Sequence, residues 1–258
     1  MTVDYELRGH VAVLTINRPG ARNAVNGEVA QGLEAGIDQL EADDEAWVGI
    51  ITGARTEKGY IFSAGADLKV MGVNPGEMST ERGGFAGYVQ RERSKPVIAA
   101  VDGPALAGGT EIVLASDLVV ASKTATFGVP EVKRNLVAAA GGLFRLPRKL
   151  PRNIAMELAL TGRLDFPAER AYHFGLVNSL CEEGEALATA LELAGQISAA
   201  APLAVRESRR IILEAADQPE EVGWKLSGEG MMKLFGTEDF NEGLTAFIEK
   251  RDPQWKGR

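Results

Sequence analysis

Three stretches of this chain put small residues directly ahead of a helix or a carboxylate: Phe62–Asp67 (FSAGAD), Leu106–Glu111 (LAGGTE) and Ala138–Gly142 (AAAGG). Glycine and alanine let a ligand approach the backbone closely. The first N–H groups of a helix lack internal partners and lie at its positive end, so such junctions bind anions. Two of them facing one point would stabilise a developing oxyanion. None of the three matches a dinucleotide fingerprint or a phosphate-binding P-loop.

Proton chemistry in this chain falls to carboxylates. There are 36 Asp plus Glu, but only two histidines, His10 and His173, and one cysteine, Cys181. That excludes an intrachain disulfide and a Cys/His zinc site. Ser63 lacks the setting of a nucleophile elbow. Among the acids, Glu111 stands out because Ile112, Val113, Leu114 and Ala115 follow it, and Glu131 because it sits in the apolar run Gly128–Val132 (GVPEV). Burial among such neighbours would raise a carboxyl pKa and fit it for proton transfer. By composition alone, each is more often a cap or a solvated residue.

The elements that must position these residues read as α/β. Residues 2–8 and 10–17 alternate as a hairpin, and the spacing of Val29, Leu33, Ile37 and Leu40 predicts a helix capped by Asn26. Apolar runs at 47–52, 60–63, 96–101, 117–121 and 126–128 read as strands. Glycine-rich residues 72–87 read as a mobile segment. Beyond residue 140 the pattern is helical, at 141–149, 151–160, 167–174, 184–200, 202–216, 218–235 and 238–250. Trp224, Met231, Met232, Leu234 and Phe235 need apolar cover, which another subunit commonly supplies.

The 258 residues are 45% hydrophobic and 25% charged, an ordinary globular composition able to build a core. A net charge of −8 argues against nucleic acid and anionic membrane as partners, while leaving room for a small anion held by local cations. No apolar run approaches a membrane span, and the first residues lack a leader pattern, so a cytoplasmic setting is expected.

In order and spacing, these segments resemble the enoyl-CoA hydratase/isomerase (crotonase) superfamily over nearly the whole chain. The resemblance is carried by Asn17–Pro19, Arg22–Ala24, Phe62–Leu68, Lys95–Gly103 (KPVIAAVDG), Ala107–Glu111, Phe127–Glu131, Thr161–Arg163, Gly175–Asn178 and Glu242–Arg251 (EGLTAFIEKR). It implies a spiral of ββα units over residues 1–200 and a C-terminal helical trimerisation region over 201–258. A homotrimer or dimer of trimers follows, acting on an acyl-coenzyme A thioester with no cofactor, since coenzyme A is part of the substrate.

Residue by residue, the resemblance implies that the Ala66 and Gly108 N–H groups hold the thioester oxygen. Glu111 and Glu131 match the hydratase carboxylates, as base and acid. Arg22, Ala24, Ala64, Asp67, Leu68 and Lys250 fall in the coenzyme A segments, Lys250 reaching a phosphate, often across a subunit boundary. Ala139 stands where the family has a glycine that helps hold the catalytic water. The resemblance therefore implies hydration of a trans-2-enoyl-CoA. An isomerase, a dehydratase of a specialised acyl group and a non-catalytic acyl-CoA binder are the alternatives. The run Val132–Val137 is similar to branches acting on unusual acyl groups, including carnitine-type and sterol side-chain thioesters.

Overall fold

A computed structural model describes residues 2–258. The chain starts with the expected hairpin, β1 (Val3–Arg8) and β2 (Val11–Ile16), turned at Gly9, where φ is +57°. Helix α1 (Gly27–Ala42) follows, with Asn26 Oδ1 accepting from Val29 N at 3.1 Å. Its buried face is Val29, Leu33, Gly36, Ile37 and Leu40, one stripe at helical spacing. Gly36 is required there, because a Cβ would lie 2.6 Å from Leu14. The C-terminal carbonyls of α1 are satisfied by buried Lys95, whose Nζ donates to Leu40 O and Asp43 O.

Next come β3 (Val48–Gly53), the single turn α2 (Leu68–Met71), the two-residue strands β4 (Ser79–Thr80) and β5 (Gly84–Phe85), and β6 (Val97–Val101). The chain continues through β7 (Ala105–Leu106), α3 (Gly108–Ala115), β8 (Leu118–Ser122) and β9 (Thr126–Gly128). Helices α4 (Gly142–Lys149) and α5 (Arg152–Thr161) precede β10 (Phe166–Pro167), α6 (Ala168–His173) and β11 (Ser179–Cys181). Four helices end the chain: α7 (Ala186–Ser198), α8 (Pro202–Ala215), α9 (Glu220–Leu234) and α10 (Glu238–Glu249).

The main sheet has the order β1-β2-β3-β6-β8-β11 and is parallel except for the β1–β2 hairpin. Its central strands are buried on both faces, as parallel sheets require. The period of two then splits them between two cores. Leu14, Ile51, Ala99 and Val119 face a large cluster with α1 and α3. Val13, Ile50, Ile98 and Val120 face a smaller one closed by Ala186, Ala190 and Ala194 of α7. Truncating a side chain such as Leu33 to alanine would cost about 2–5 kcal/mol.

A second, three-stranded sheet, β10-β9-β7, lies beside the first. Isolated bridges, Val25 with Ala66 and Ser63 with Ala105, carry its pairing further. The chain thus runs repeatedly from the main sheet to the second layer and then into a helix, which is the ββα spiral. The crossing from β6 to β7 turns at Gly103 (φ +68°), where a Cβ would sit 1.9 Å from Tyr60 O. Asp102 beside it accepts from Gly184 N and Ala186 N and so caps α7.

Two expectations are corrected. Residues 60–63 form no strand. Their backbone pairing is confined to the isolated bridge of Ser63 with Ala105, and the Ile61 and Ala54 carbonyls accept instead from Asn23 Nδ2. The segment 72–87 is built and packed in its second half. Met78 and Ala86 are buried, Thr80 bonds Glu34, and Arg82 pairs with Asp38 on α1.

At the C-terminal end the tail returns to the body. Trp255 Nε1 donates to Ala199 O, and the Asp239 carboxylate accepts from Lys256 N and Gly257 N. Trp224, Met232, Phe247 and Ile248 remain 67–85% exposed. Among the described residues, no single helix is long and apolar enough to cross a membrane.

Candidate active site

Strands β7 and β9 pair in parallel, with Leu106 opposite Gly128. Whatever follows either strand therefore leaves at the same edge of the second sheet. After Leu106 comes the start of α3; after Gly128 comes a 3-10 turn, Pro130–Arg134, carrying Glu131. Glu111 lies three residues into α3, on the face of its first turn. The topology thus delivers one helix N-terminus and two carboxylates to one edge. Thr110 locks it, its Oγ1 lying within 3.1 Å of Ala105 O, Gly128 O and Gly128 N.

The stretch 63–66 joins this edge from the other side. Ser63 Oγ donates to Asn23 O and accepts from Gly65 N, a bracket that makes it structural. A Cβ at Gly65 would lie 2.7–2.8 Å from Leu106 O, Ala107 Cβ and Gly108 N, so only glycine lets the two segments touch. Val25 N donates to Gly65 O and Asp67 N to Val25 O, which leaves the Ala66 N–H unused between them. Among the described residues, neither Ala66 N–H nor Gly108 N–H has a protein acceptor. Two adjacent donors with no acceptor are the pattern of an oxyanion hole. At Gly108 a Cβ would meet the Phe85 ring at 2.4 Å, so that ring backs the donor.

Glu111 is 3% exposed, and its Oε1 accepts from Gly142 N at 2.9 Å. Burial, with a smaller push from Glu131, raises its pKa to about 7, against the pull of the Gly142 and Ala140 N–H groups and Arg145. Burial also pushes Glu131 above the ordinary carboxylate range, against Arg134. Glu131 Oε2 is buried with no partner among the described residues. A buried carboxylate oxygen without a partner is costly and calls for a function. The pair is suited to hold one proton between them and to give and take it near neutral pH.

The remaining residues named from the sequence divide into two places. Arg22, Ala24, Ala64, Asp67 and Leu68 come together. Arg22 O accepts from Ala64 N, and Arg18 donates to Ala24 O while pairing with Asp67 at 3.1 Å. The Asp67 carboxylate also caps α2 through Lys69 N, so its oxygens are engaged within the protein. Ala64 O accepts from no described residue, Arg22 is exposed, and Leu68 is 59% exposed. Lys250 stands apart, exposed in a left-handed conformation at the end of α10. Ala139 is exposed in the loop before α4, whereas the N–H that donates to Glu111 belongs to Gly142.

Sequence reasoning missed several residues that build the site. Ala107 precedes α3 with φ 51° and ψ −126°, a conformation that costs a non-glycine residue of the order of 1–3 kcal/mol. Thr110, Phe85 and Arg145 are the others. Gly141–Gly142 was visible as a small-residue pair, but not the carboxylate it would hold. A groove of about 1090 Å³ between the C-terminal end of α3, α4 and α8 contains neither glutamate; Arg145 lies on its wall.

Known proteins resemble this chain over nearly its whole length. The family model described as Enoyl-CoA hydratase/isomerase matches residues 6–258. The enoyl-CoA hydratase EchA19 of Mycobacterium tuberculosis is 40% identical, over 98% of this chain and 96% of its own. The mevalonyl-coenzyme A hydratase sidH of Aspergillus fumigatus is 42% identical, over 96% of this chain and 92% of its own. A crystal structure of an enoyl-CoA hydratase from Mycobacterium tuberculosis H37Rv superposes with a TM-score of 0.94 at 46% identity, covering 100% of this chain and 99% of that one.

Proposed function

The chain belongs to the enoyl-CoA hydratase/isomerase family and is an enoyl-CoA hydratase, a carbon–oxygen lyase, and on that premise we propose how its residues divide the work. The substrate is a trans-2-enoyl-CoA, and water adds across its C2=C3 bond. The thioester oxygen sits between the Ala66 and Gly108 N–H groups, which stabilise the charge it gains. Removing one such donor typically costs about 10²–10³ in rate. Ionised Glu111 takes a proton from water as it attacks C3, and protonated Glu131 delivers one to C2. The two then exchange the proton balance with solvent. Ala139 borders the water site. Nothing in this reaction changes oxidation state overall, so no cofactor is required beyond the coenzyme A carried by the substrate.

The observation that carries this reading is the pairing of buried Glu111 and half-buried Glu131, both with raised pKa, with two unused N–H donors at one sheet edge. Arg22, Ala24, Ala64, Asp67 and Leu68 flank that edge and form the coenzyme A channel, with Lys250 meeting a phosphate. The exposed apolar residues of α9 and α10, Trp224, Met232 and Phe247 among them, are the contact surface of a trimer or dimer of trimers working in the cytoplasm. The similarity to a mevalonyl-coenzyme A hydratase favours one second reading, hydration or dehydration of a specialised, polar acyl group.

The test is loss of the conjugated-thioester absorbance with crotonyl-CoA, longer enoyl-CoAs and hydroxylated enoyl-CoAs. Glu111→Gln and Glu131→Gln should each lower kcat by about 10²–10⁴. Tight acyl-CoA binding without turnover on any of them would instead identify a binder. Full activity in both variants would remove the mechanism.

A further inference from the structure

We propose that Arg145 is a positioning residue of the hydration reaction, its guanidinium tying the turn that holds Glu111 to the segment that backs the Gly108 N–H. The inference rests on the reading of Glu111 as the base.

Arg145 lies in the first turn of α4, and its side chain doubles back over the helix start. Nη1 donates to Ala140 O at 3.3 Å and Nη2 to Val89 O at 2.6 Å, while its backbone N donates to Gly141 O at 3.0 Å. One end of this staple is the turn 140–142, whose Gly142 N–H donates to Glu111 Oε1. The other end is Val89, whose N–H donates to Phe85 O at 3.2 Å. The Phe85 ring in turn occupies the space a Cβ at Gly108 would take. One half-buried side chain therefore spans from the holder of the base to the backing of the oxyanion donor.

The local sequence is built for this path. Gly141 has φ +107°, and a Cβ there would lie 2.1 Å from Arg145 Nη1. The guanidinium fits only because residue 141 has no side chain. A planar fork with donors in two fixed directions meets both carbonyls; a lysine ammonium would carry the charge without that geometry.

The cation also acts on Glu111 directly. The charged groups that bear on Glu111 are Glu131 from the turn after β9 and Arg145 from α4; the first favours its protonated form and the second its ionised form. Arg145 itself bears on Arg93, Arg148, Tyr88 and Glu111. Its charge thus supports ionisation at Glu111, where a base is needed.

The test is the pH profile of crotonyl-CoA hydration by the full chain carrying Arg145→Met or Arg145→Lys, with rates normalised to folded enzyme. Arg145→Met should lower kcat by about 10- to 100-fold, the scale of a misplacement near 1 Å. KM should change little, and the acid limb of kcat/KM should move to higher pH. Arg145→Lys should keep the acid limb in place while kcat stays reduced. Wild-type kcat and an unmoved acid limb in both variants would overturn the proposal. If Arg145→Met does not fold, Arg145→Lys decides alone, and an unreduced kcat there overturns it. Glu111→Gln is measured beside them. Activity in Glu111→Gln defeats the underlying reading, whereas an inactive Glu111→Gln beside wild-type-like Arg145 variants defeats only this inference.

Discussion

Replacing Glu111 by glutamine should inactivate the enzyme and make it more stable at alkaline pH. In the folded chain the Glu111 pKa stands at about 7, against 4.5 for an ordinary glutamate. The group is buried, so the shift converts to free energy with little screening, at about 1.4 kcal/mol per unit. Below the unfolded pKa both states are protonated and nothing is lost. Between the two pKa values the unfolded chain ionises and the folded chain does not, so stability falls as pH rises, and above the folded pKa the deficit levels at about 3 kcal/mol. Glutamine is neutral in both states and escapes this. Its carboxamide oxygen still accepts from Gly142 N, as the protonated carboxyl does, and the pKa of about 7 already contains the pull of that N–H on the ionised form. The net gain at pH 8 is then about 3 kcal/mol, or about 6–12 °C in Tm for a chain of this size. At pH 5 the deficit has shrunk to about 1 kcal/mol, so the gain in Tm should fall to about 2–4 °C. The assay is thermal unfolding of both proteins at one protein concentration at each pH, since the proposed subunit assembly would make Tm concentration-dependent. A glutamine variant less stable than wild type by the same margin at both pH values would refute the reasoning. Glu111 would then be ionised and fully paid for by its hydrogen bonds.

Two further outcomes are expected. Gly108→Ala should destabilise by about 1–3 kcal/mol and lower kcat, because its Cβ meets the Phe85 ring at 2.4 Å. Adding Phe85→Ala should recover part of that stability, and strict additivity in the double-mutant cycle would deny the contact. Lys250→Ala should raise KM for a coenzyme A thioester at unchanged kcat, with no effect on a pantetheine thioester that lacks the nucleotide phosphates. An equal change on both substrates would place Lys250 elsewhere.

Most of the fold was legible because it rests on local signals. Asn26 caps α1 through its own side chain, and the predicted C-terminal helices agree with the observed α4–α10 to within two residues at each end. Apolar spacing with Gly or Pro at the ends suffices for such elements. The failures share a cause: the deciding partner is distant in sequence. Residues 60–63 look like a strand, yet Asn23, some 40 positions earlier, takes their carbonyl. The glycines of 72–87 look like a flexible linker, yet a Cβ at Gly87 would lie 2.1 Å from Ala30 O and one at Gly84 2.7 Å from Gln90. The residue that permits motion also permits close packing, and composition does not separate the two. At the site, the identity of Glu111 and Glu131 came through the resemblance. Their surroundings did not, since the turn of Arg145 and the strained φ of Ala107 exist only in three dimensions.

That strain and the buried acids belong to one argument. The unusual backbone at Ala107 redirects the chain out of β7 so that the Gly108 N–H points beside Ala66 and Glu111 falls one turn inside. It is held by Ala107 N to Gly128 O at 2.8 Å, by the Thr110 hydroxyl, and by the absence of a Cβ at Gly109, which would lie 2.4 Å from Ser63 O. Ala107, Glu111 and Glu131 are thus residues the fold would be more stable without, while Thr110, Asn23 and Arg145 are satisfied groups that hold them in place. The two sets separate by sign. Relieving the first set should gain stability and lose rate, the usual trade at an active site. Removing the second should lose both, because each leaves a buried polar partner unmet. A residue's place in the chemistry is therefore readable from which way its stability and its rate move together.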